Sequence, residues 1–366
     1  MRIIFCGGGT AGHVTPAIAI AEYIKKNYKD SEMLFVGRQD GAENKAITDA
    51  GFKLETVKIY GFARRLTLKN IKNLFTAFDA QRRAKRIIQS FGADAVVGTG
   101  GYVSWPVIKA AQGMRIPTLI HESNACPGLV SKLLAPRCNR VLLGLEGARD
   151  EFQKKENIRV VGNPVRGDFS SLTKEEARQR LGIGKNEILI SSFGGSGGSK
   201  LLNETVAKAM LKHSSKNRCI IHIHSSGRKY FEEMKKDYPA LANGNGRCRI
   251  VPYVEDMATL LLASDIVISR CGAMTLSEIC AAGVAAILIP SPNVTNDHQL
   301  KNAKAFADKG AAILIEEKHL SRDLLINKLV LLESDQRRRA EYGRRIKRFH
   351  SPDVCRVIYE EIVGSI

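Results

Sequence analysis

The stretch Cys6-Gly7-Gly8-Gly9-Thr10-Ala11-Gly12-His13 decides how the rest of the chain is read. The apolar run Ile3-Ile4-Phe5 precedes it. After it, Pro16 suits the opening of a helix over 16–28, with Ala17, Ile20, Ala21 and Ile24 at helical spacing and Lys25 and Lys26 near its end. A strand, a glycine turn and a helix bring bare backbone N–H groups and a positive helix end to an anion, which is a phosphate-binding arrangement. That task does not require the imidazole that closes the loop.

Outward from this unit, strand-like and helix-like runs alternate. Met33–Val36, Ala95–Val97, Thr118–Ile120 and Val141–Leu143 read as buried strands, with helices over 42–50 and 106–112 between them. The turns Gly98-Thr99-Gly100-Gly101-Tyr102 and His121-Glu122-Ser123-Asn124 follow two of the strands. This rhythm predicts an α/β parallel sheet with ligands beyond the carboxyl ends of its strands. Past Arg159–Arg166 and a polar helix over 174–180 the opening repeats: Ile188–Phe193, then Gly194-Gly195-Ser196-Gly197-Gly198-Ser199, then a helix over 201–211. A second strand, glycine turn and helix implies a second Rossmann-like domain with its own sheet, the two facing across a cleft. Its rhythm continues through Cys219–His224, Arg249–Val251, Asp265–Ile268 and Ala285–Pro290. The turn Ser269–Glu278 and the helix opening Asn296–Ala303 add polar side chains. From about Gln336 the tail is basic and helical.

A length of 366 residues fits two domains at roughly 150 residues each. With 44% hydrophobic and 25% charged residues, the composition is that of a soluble globular protein. No apolar run reaches the ~20 residues of a membrane span, and the first strand follows no leader, so the expectation is cytoplasmic. Eight scattered cysteines without a C-x-x-C pair read as reduced thiols. His222 and His224 share one strand face, and the metal-site reading of that pair lacks a third ligand nearby in sequence.

The net charge of +19 concentrates at Arg64–Arg86 and Arg337–Arg348. In the first cluster Ile71, Leu74, Phe75 and Phe78 form an apolar stripe among the cations. Such a helix rests either on anionic lipid or on its own core. No nucleic-acid module is recognisable, so no nucleic-acid partner is expected.

Gly7-x-Gly9-x-x-Gly12 matches the dinucleotide fingerprint, but Arg38 stands where a nicotinamide site wants an acid. The Walker pattern is absent, and so is the Asp-x-Asp of metal-dependent sugar-nucleotide sites. A diphosphate here would be held by amides, hydroxyls and Arg. His13 suits a general base, or is a structural imidazole bonded to a carbonyl. Glu122 competes with it as a base, an orienter of an imidazole, or a carboxylate bonded to loop amides.

Taken in order, Gly8–His13, Gly100–Tyr102, His121–Asn124 with Pro127-Gly128-Leu129, Gly162–Arg166, Gly194–Ser196, Val254–Met257, Gly272–Glu278 and His298–Ala303 resemble the MurG family over nearly the whole chain. The resemblance implies the GT-B glycosyltransferase fold, with an acceptor and membrane-associating domain over 1–163 and a UDP-GlcNAc-binding domain over 164–340. A helical tail over 341–366 would pack back on the N-terminal domain. It implies inverting transfer of GlcNAc from UDP-GlcNAc to the C4 hydroxyl of undecaprenyl-pyrophosphoryl-MurNAc-pentapeptide, lipid I to lipid II, with no cofactor and no metal. The alternatives are a related diacylglycerol sugar transferase and a non-catalytic sugar-nucleotide-binding module.

Carried over by position, His13 is the base and Thr10, Ala11 and Gly12 line the acceptor wall. Val254 reads uracil through its backbone and Glu278 takes the ribose. Ser196 and the helix start Ala273, Met274, Thr275, Leu276 and Ser277 hold the diphosphate. Asn124, Gln299 and Asn302 face the sugar, and Arg166 lies on the hinge side. The resemblance also implies peripheral association with an anionic membrane surface at the cytoplasmic face of the cell membrane. Three residues depart from the pattern: Ala11, which requires a negative φ, Gly197 and Trp105.

Overall fold

The computed structural model describes residues 1–41, 44–60, 68–167, 169, 171–195, 197–243 and 246–366, with backbone alone at 11 and 68–75. The described residues form two compact units, Met1–Arg166 with Asp353–Ile366, and Gly167–Pro352.

Among the described residues the first unit holds a seven-stranded parallel sheet. In chain order its strands are β1 (Arg2–Cys6), β2 (Glu32–Arg38), β3 (Lys53–Val57), β4 (Ala95–Gly98), β5 (Thr118–Glu122), β6 (Arg140–Leu143) and β7 (Ile158–Val160), arranged 3-2-1-4-5-6-7. Both faces are covered, and strand alternation divides them. Ile4, Cys6, Val96, Ile120 and Val141 enter one core, whereas Ile3, Phe5, Val97, Leu119 and Leu142 enter the other.

The second core is completed from far along the chain. In the Val354–Val363 helix, Val354, Ile358 and Ile362 lie at i, i+4, i+8 and are buried with Ile18, Ile24 and Phe5. Tyr359 stacks on Tyr28 at 3.8 Å between ring centroids, and Glu361 pairs with Arg140 and Arg159. The preceding helix, Gln336–Lys347, belongs to the second unit, so the stretch 341–366 is shared between the two.

The second unit repeats the plan. Its parallel strands, β8 (Ile188–Phe193), β9 (Ile220–Ser225), β10 (Cys248–Val251), β11 (Ile266–Ser269), β12 (Ala285–Leu288) and β13 (Ile313–Leu314), are ordered 10-9-8-11-12-13. In each sheet the order reverses beside the first strand of the unit, between β1 and β4 and between β8 and β11. Crevices for ligands open at such reversals. The loops Gly7–Thr10 and Gly194–Ser199 both leave the sheet there.

The first helix differs in extent from the sequence expectation. It begins at Ala11 because Thr10 is extended (φ −154, ψ 154) and serves as N-cap, so Pro16 lies inside it. Ala11 is therefore helical and needs no positive φ, and His13 falls in the first turn rather than in the loop. The basic helix spans Leu68–Phe91, while Arg64, Arg65 and Leu66 lie outside the described residues, as do the side chains of Ile71, Leu74 and Phe75. Its described part buries Ala77, Ala80, Ala84, Ile87 and Ile88 and leaves Phe78 51% exposed. Among the described residues no helix is long and apolar enough to cross a membrane.

Candidate active site

In the first unit the loops after β1 and β4 are stitched together by hydrogen bonds. Gly8 N–H donates to Gly100 O (3.3 Å), Thr99 Oγ1 donates to His13 O (2.6 Å), and Ser104 Oγ donates to Cys6 O (3.1 Å). His13 lies against glycines that must be glycines. A Cβ on Gly100 would stand 2.7 Å from His13 Cδ2, and one on Gly101 would stand 1.8 Å from Gly8 O.

His13 Nδ1 is 3.1 Å from Gly8 O and 3.2 Å from Thr10 Oγ1. A carbonyl only accepts, so the tautomer that satisfies this contact carries its proton on Nδ1. The lone pair then sits on Nε2, the atom a base uses. Thr10 and Gly12 are exposed beside the half-buried ring.

Glu122 takes the third of its sequence readings. Oε1 accepts from Asn124 N and Nδ2 (3.1 and 3.2 Å), and Oε2 accepts from Gly128 N (3.1 Å) and Ser131 Oγ (2.7 Å). With four donors on two oxygens, the carboxylate organises the loop after β5. Asn124 is thereby fixed next to the strand end. Arg166 pairs with Glu22 of the Ala11–Asn27 helix at 3.2 Å, both half exposed.

In the second unit the Ala273–Ala282 helix starts at the end of β11. Gly272 caps it without a side-chain bond, and Leu276 N is the first amide to find an intrahelical carbonyl, Gly272 O (3.0 Å). The amides of Ala273, Met274 and Thr275 are left to face an anion at the positive helix end. Ser277 Oγ turns back to Ala273 O (2.9 Å).

One turn further along, Glu278 has no hydrogen-bond or ion-pair partner among the described residues, and desolvation alone raises its pKa to about 7. A carboxylate placed this way lacks donors that a diol would supply. Val254 follows β10, and its main chain makes no hydrogen bond among the described residues, leaving a free donor and acceptor.

Gln299 Oε1 accepts from Cys271 N (3.2 Å) and Ser291 N (2.9 Å), which leaves its NH2 group as the presented end. Asn302 is fully buried and donates to Cys271 O (3.2 Å), so it braces the turn from behind. Ser196 lies outside the described residues. Its neighbours form a tight turn, Gly198 N–H to Gly195 O at 3.0 Å, with both glycines at positive φ.

Sequence reasoning missed Arg270. This 7%-exposed guanidinium donates to Ser199 Oγ (2.6 Å) and to the carbonyls of Ile289 and Pro290 (3.2 Å each), and it pairs with Glu317. One side chain thus ties the ends of β8, β11, β12 and β13. A lone Arg directly after the buried strand Ile266–Ser269 was the available signal.

His222 and His224 form a hydrogen-bonded chain. Every ring nitrogen is engaged: His222 with Ser214 (3.2 Å) and Ser192 (2.9 Å), His224 with Ser192 (2.8 Å) and Asn203 (3.1 Å). Asn203 Nδ2 donates to Ser226 O, which fixes its Oδ1 as acceptor from His224 Nε2–H. The remaining directions follow. Ser192 donates to His224 Nδ1 and accepts from His222 Nε2–H, and Ser214 donates to His222 Nδ1. The chain ends at Ser226 O, the carbonyl that a Cβ on Gly198 would strike at 2.2 Å.

Residues 3–143 match the Glycosyltransferase family 28 N-terminal domain and residues 189–355 match the Glycosyltransferase family 28 C-terminal domain. The chain is 38% identical over 362 residues, 99% of it and 97% of the relative, to the UDP-N-acetylglucosamine--N-acetylmuramyl-(pentapeptide) pyrophosphoryl-undecaprenol N-acetylglucosamine transferase of Acetivibrio thermocellus. It is 40% identical over 361 residues, 98% of each, to the protein of the same name from Caldanaerobacter subterraneus subsp. tengcongensis. Among solved structures it is similar to Acinetobacter baumannii MurG, with a TM-score of 0.78, 26% identity and 99% of each chain covered. Matched in both halves and along nearly its whole length, with two parallel-sheet domains of the GT-B kind, the chain belongs to the MurG family of glycosyltransferases.

Proposed function

We propose that this enzyme transfers GlcNAc from UDP-GlcNAc to the C4 hydroxyl of the MurNAc-pentapeptide on undecaprenyl pyrophosphate, converting lipid I to lipid II with inversion at the anomeric carbon. The observation that carries the mechanism is His13 Nδ1 held at 3.1 Å from Gly8 O, because it leaves Nε2 as a base. Nε2 takes the proton of the acceptor hydroxyl as its oxygen bonds to C1 of GlcNAc. The bond from C1 to the phosphate oxygen breaks, and UDP leaves with the electron pair. The free amides of Ala273, Met274 and Thr275 meet the growing charge on the diphosphate, Ser196 is assigned a donor role to it, and Ser277, whose hydroxyl already donates to Ala273 O, supports the helix start. Glu278 accepts from the ribose hydroxyls, the main chain of Val254 pairs with uracil, and Gln299 Nε2 and Asn124 contact the sugar. Thr10, Ala11 and Gly12 line the acceptor diphosphate with Arg166 beyond them, and Asn302 acts through Cys271.

The same reading seats the protein on the anionic cytoplasmic face of the cell membrane. Support comes from the exposed Phe78 among Arg82, Lys85 and Arg86 on one helix. Transfer of radiolabelled GlcNAc to a lipid I analogue, with and without EDTA, tests the reaction. Transfer to diacylglycerol instead would give the acceptor to the rival reading, and binding of UDP-GlcNAc without turnover would make the chain a binding module. For the membrane, unchanged flotation with anionic vesicles after Leu74→Ser, Phe75→Ser and Phe78→Ser would remove that face as the contact.

A further inference from the structure

The hydrogen-bonded chain Ser214–His222–Ser192–His224–Asn203–Ser226 runs one way through the interior of the second unit, and each of its members is at most 1% exposed. Apolar side chains of the same shape would fill such a place with little loss of stability. A fully satisfied polar chain does something else: it fixes one arrangement of the elements that it joins. Ser192 comes from β8, and His222 and His224 come from β9. Asn203 lies in the first turn of the Lys200–Lys212 helix, and Ser214 lies just past its end. Anchored at both ends, this helix cannot slide along the two strands without breaking the chain.

The chain is also joined to the glycine turn after β8. A Cβ on Gly227 would stand 2.9 Å from both N and Cα of Gly198, just as one on Gly198 would strike Ser226 O, so backbone rests directly on backbone. Asn203 holds both sides of that contact. Its main-chain N–H donates to Ser199 O (2.8 Å), and its Nδ2 donates to Ser226 O (2.9 Å).

We propose that Ser192, His222 and His224 are positioning residues for the donor diphosphate: through Asn203 they set where the turn at Gly198 and the positive end of the Lys200–Lys212 helix stand. This rests on the reading that the turn meets the diphosphate. Ser192 Oγ is the link between the two imidazoles. By donating to His224 Nδ1 it keeps the proton of that ring on Nε2, which holds the Asn203 carbonyl toward His224 and the Asn203 NH2 toward Ser226 O. The three side chains act on the donor without touching it.

The test measures binding of UDP and of UMP by calorimetry, with donor and acceptor KM, for the full chain as wild type, Ser196→Ala, Ser192→Ala and the double variant Ser192→Ala, His222→Leu. The double variant replaces both partners of one link by apolar groups, so its Tm is expected to stay close to that of wild type. In it and in Ser192→Ala, UDP affinity is expected to fall roughly tenfold and donor KM to rise alike, while UMP affinity and acceptor KM stay as in wild type. A chain that only stabilises the fold would leave UDP binding intact once Tm is restored, and that result in the double variant overturns the proposal. Equal weakening of UDP and UMP overturns it too, because the chain would then shape the whole nucleotide site rather than the turn. Ser196→Ala separates the two levels. If it weakens UDP while the double variant does not, the inference alone falls; if it binds UDP as wild type does, the reading of the turn falls and the inference falls with it.

Discussion

His13 Nδ1 rests 3.1 Å from the carbonyl oxygen of Gly8, five residues earlier on the same turn. The main chain does here what a carboxylate often does for a catalytic imidazole: it selects the tautomer and fixes the ring plane. His13→Gln is expected to fold normally and to lose about 10²–10⁴ in kcat with little change in either KM. Steady-state kinetics against a lipid I analogue, with the fold checked by circular dichroism, test this.

Gly101→Ala should act on the same imidazole from the other side. The new methyl would fall on Gly8 O at a backbone φ of +79, so the Gly8 peptide must move and take the Nδ1 contact with it. A destabilisation of about 2–4 kcal/mol is expected, with kcat falling further than donor KM. Chemical denaturation and kinetics on one preparation separate the two effects.

Glu278 couples pH to stability and, on the ribose contact proposed for it, to donor binding in the opposite sense. Its folded pKa of about 7 lies above the ordinary 4.5, so the folded protein keeps a proton that the unfolded chain has released. Stability from this group is full below 4.5 and is lost as pH rises through 7. Ligand-free Glu278→Gln should therefore be the more stable form above pH 7, by about 1–3 kcal/mol. On the role proposed for Glu278, its donor KM should nevertheless be higher, because an ionised acceptor for the ribose hydroxyls would be gone. In the wild type, donor KM should improve as pH rises through 7. Melting curves and donor titrations across this range test the sign.

The buried imidazoles work the other way. Burial lowers His222 to about 3 and His224 to about 4 from 6.5, so both stay neutral in the fold while the unfolded chain takes up protons. Stability is present above 6.5 and is lost as pH falls, at up to about 2.7 kcal/mol per pH unit for two protons. His222→Gln should reduce that slope by about half between pH 6 and 4.5, measured by urea unfolding at fixed pH.

Ile358→Ala tests the distant helix of the first unit. It empties a fully buried site against the Ala11–Asn27 helix and should cost about 2–5 kcal/mol. A domain-resolved probe such as hydrogen exchange should register the loss in β1 and the Ala11–Asn27 helix while β8–β13 keep their protection.

The order of strands and glycine turns was legible because parallel strands buried on both faces read as apolar runs, and bare turns need glycine. Ile3–Phe5 and Ile188–Phe193 show this. Helix starts were less legible. Thr10, with no capping bond from its side chain, gives a weaker signal than Pro16, although Thr10 is where the backbone turns helical. Which polar residues brace and which present themselves depends on neighbours distant in sequence. Asn302 and Gln299 lie on one helix, yet Cys271 buries one and leaves the other a free amide end. Arg270 was hidden for the same reason, since its partners come from positions 199, 289, 290 and 317.

The Val354–Val363 helix has a consequence for biosynthesis. The first unit is assembled from residues 1–166 and 353–366, with residues 167–352 translated between them. At ~5–20 residues per second, the ribosome leaves Ile18, Ile24 and Phe5 without their cover for roughly 10–40 s. The unit encoded second is continuous and can finish folding first. The half-built first unit is therefore the species a chaperone would meet on the nascent chain.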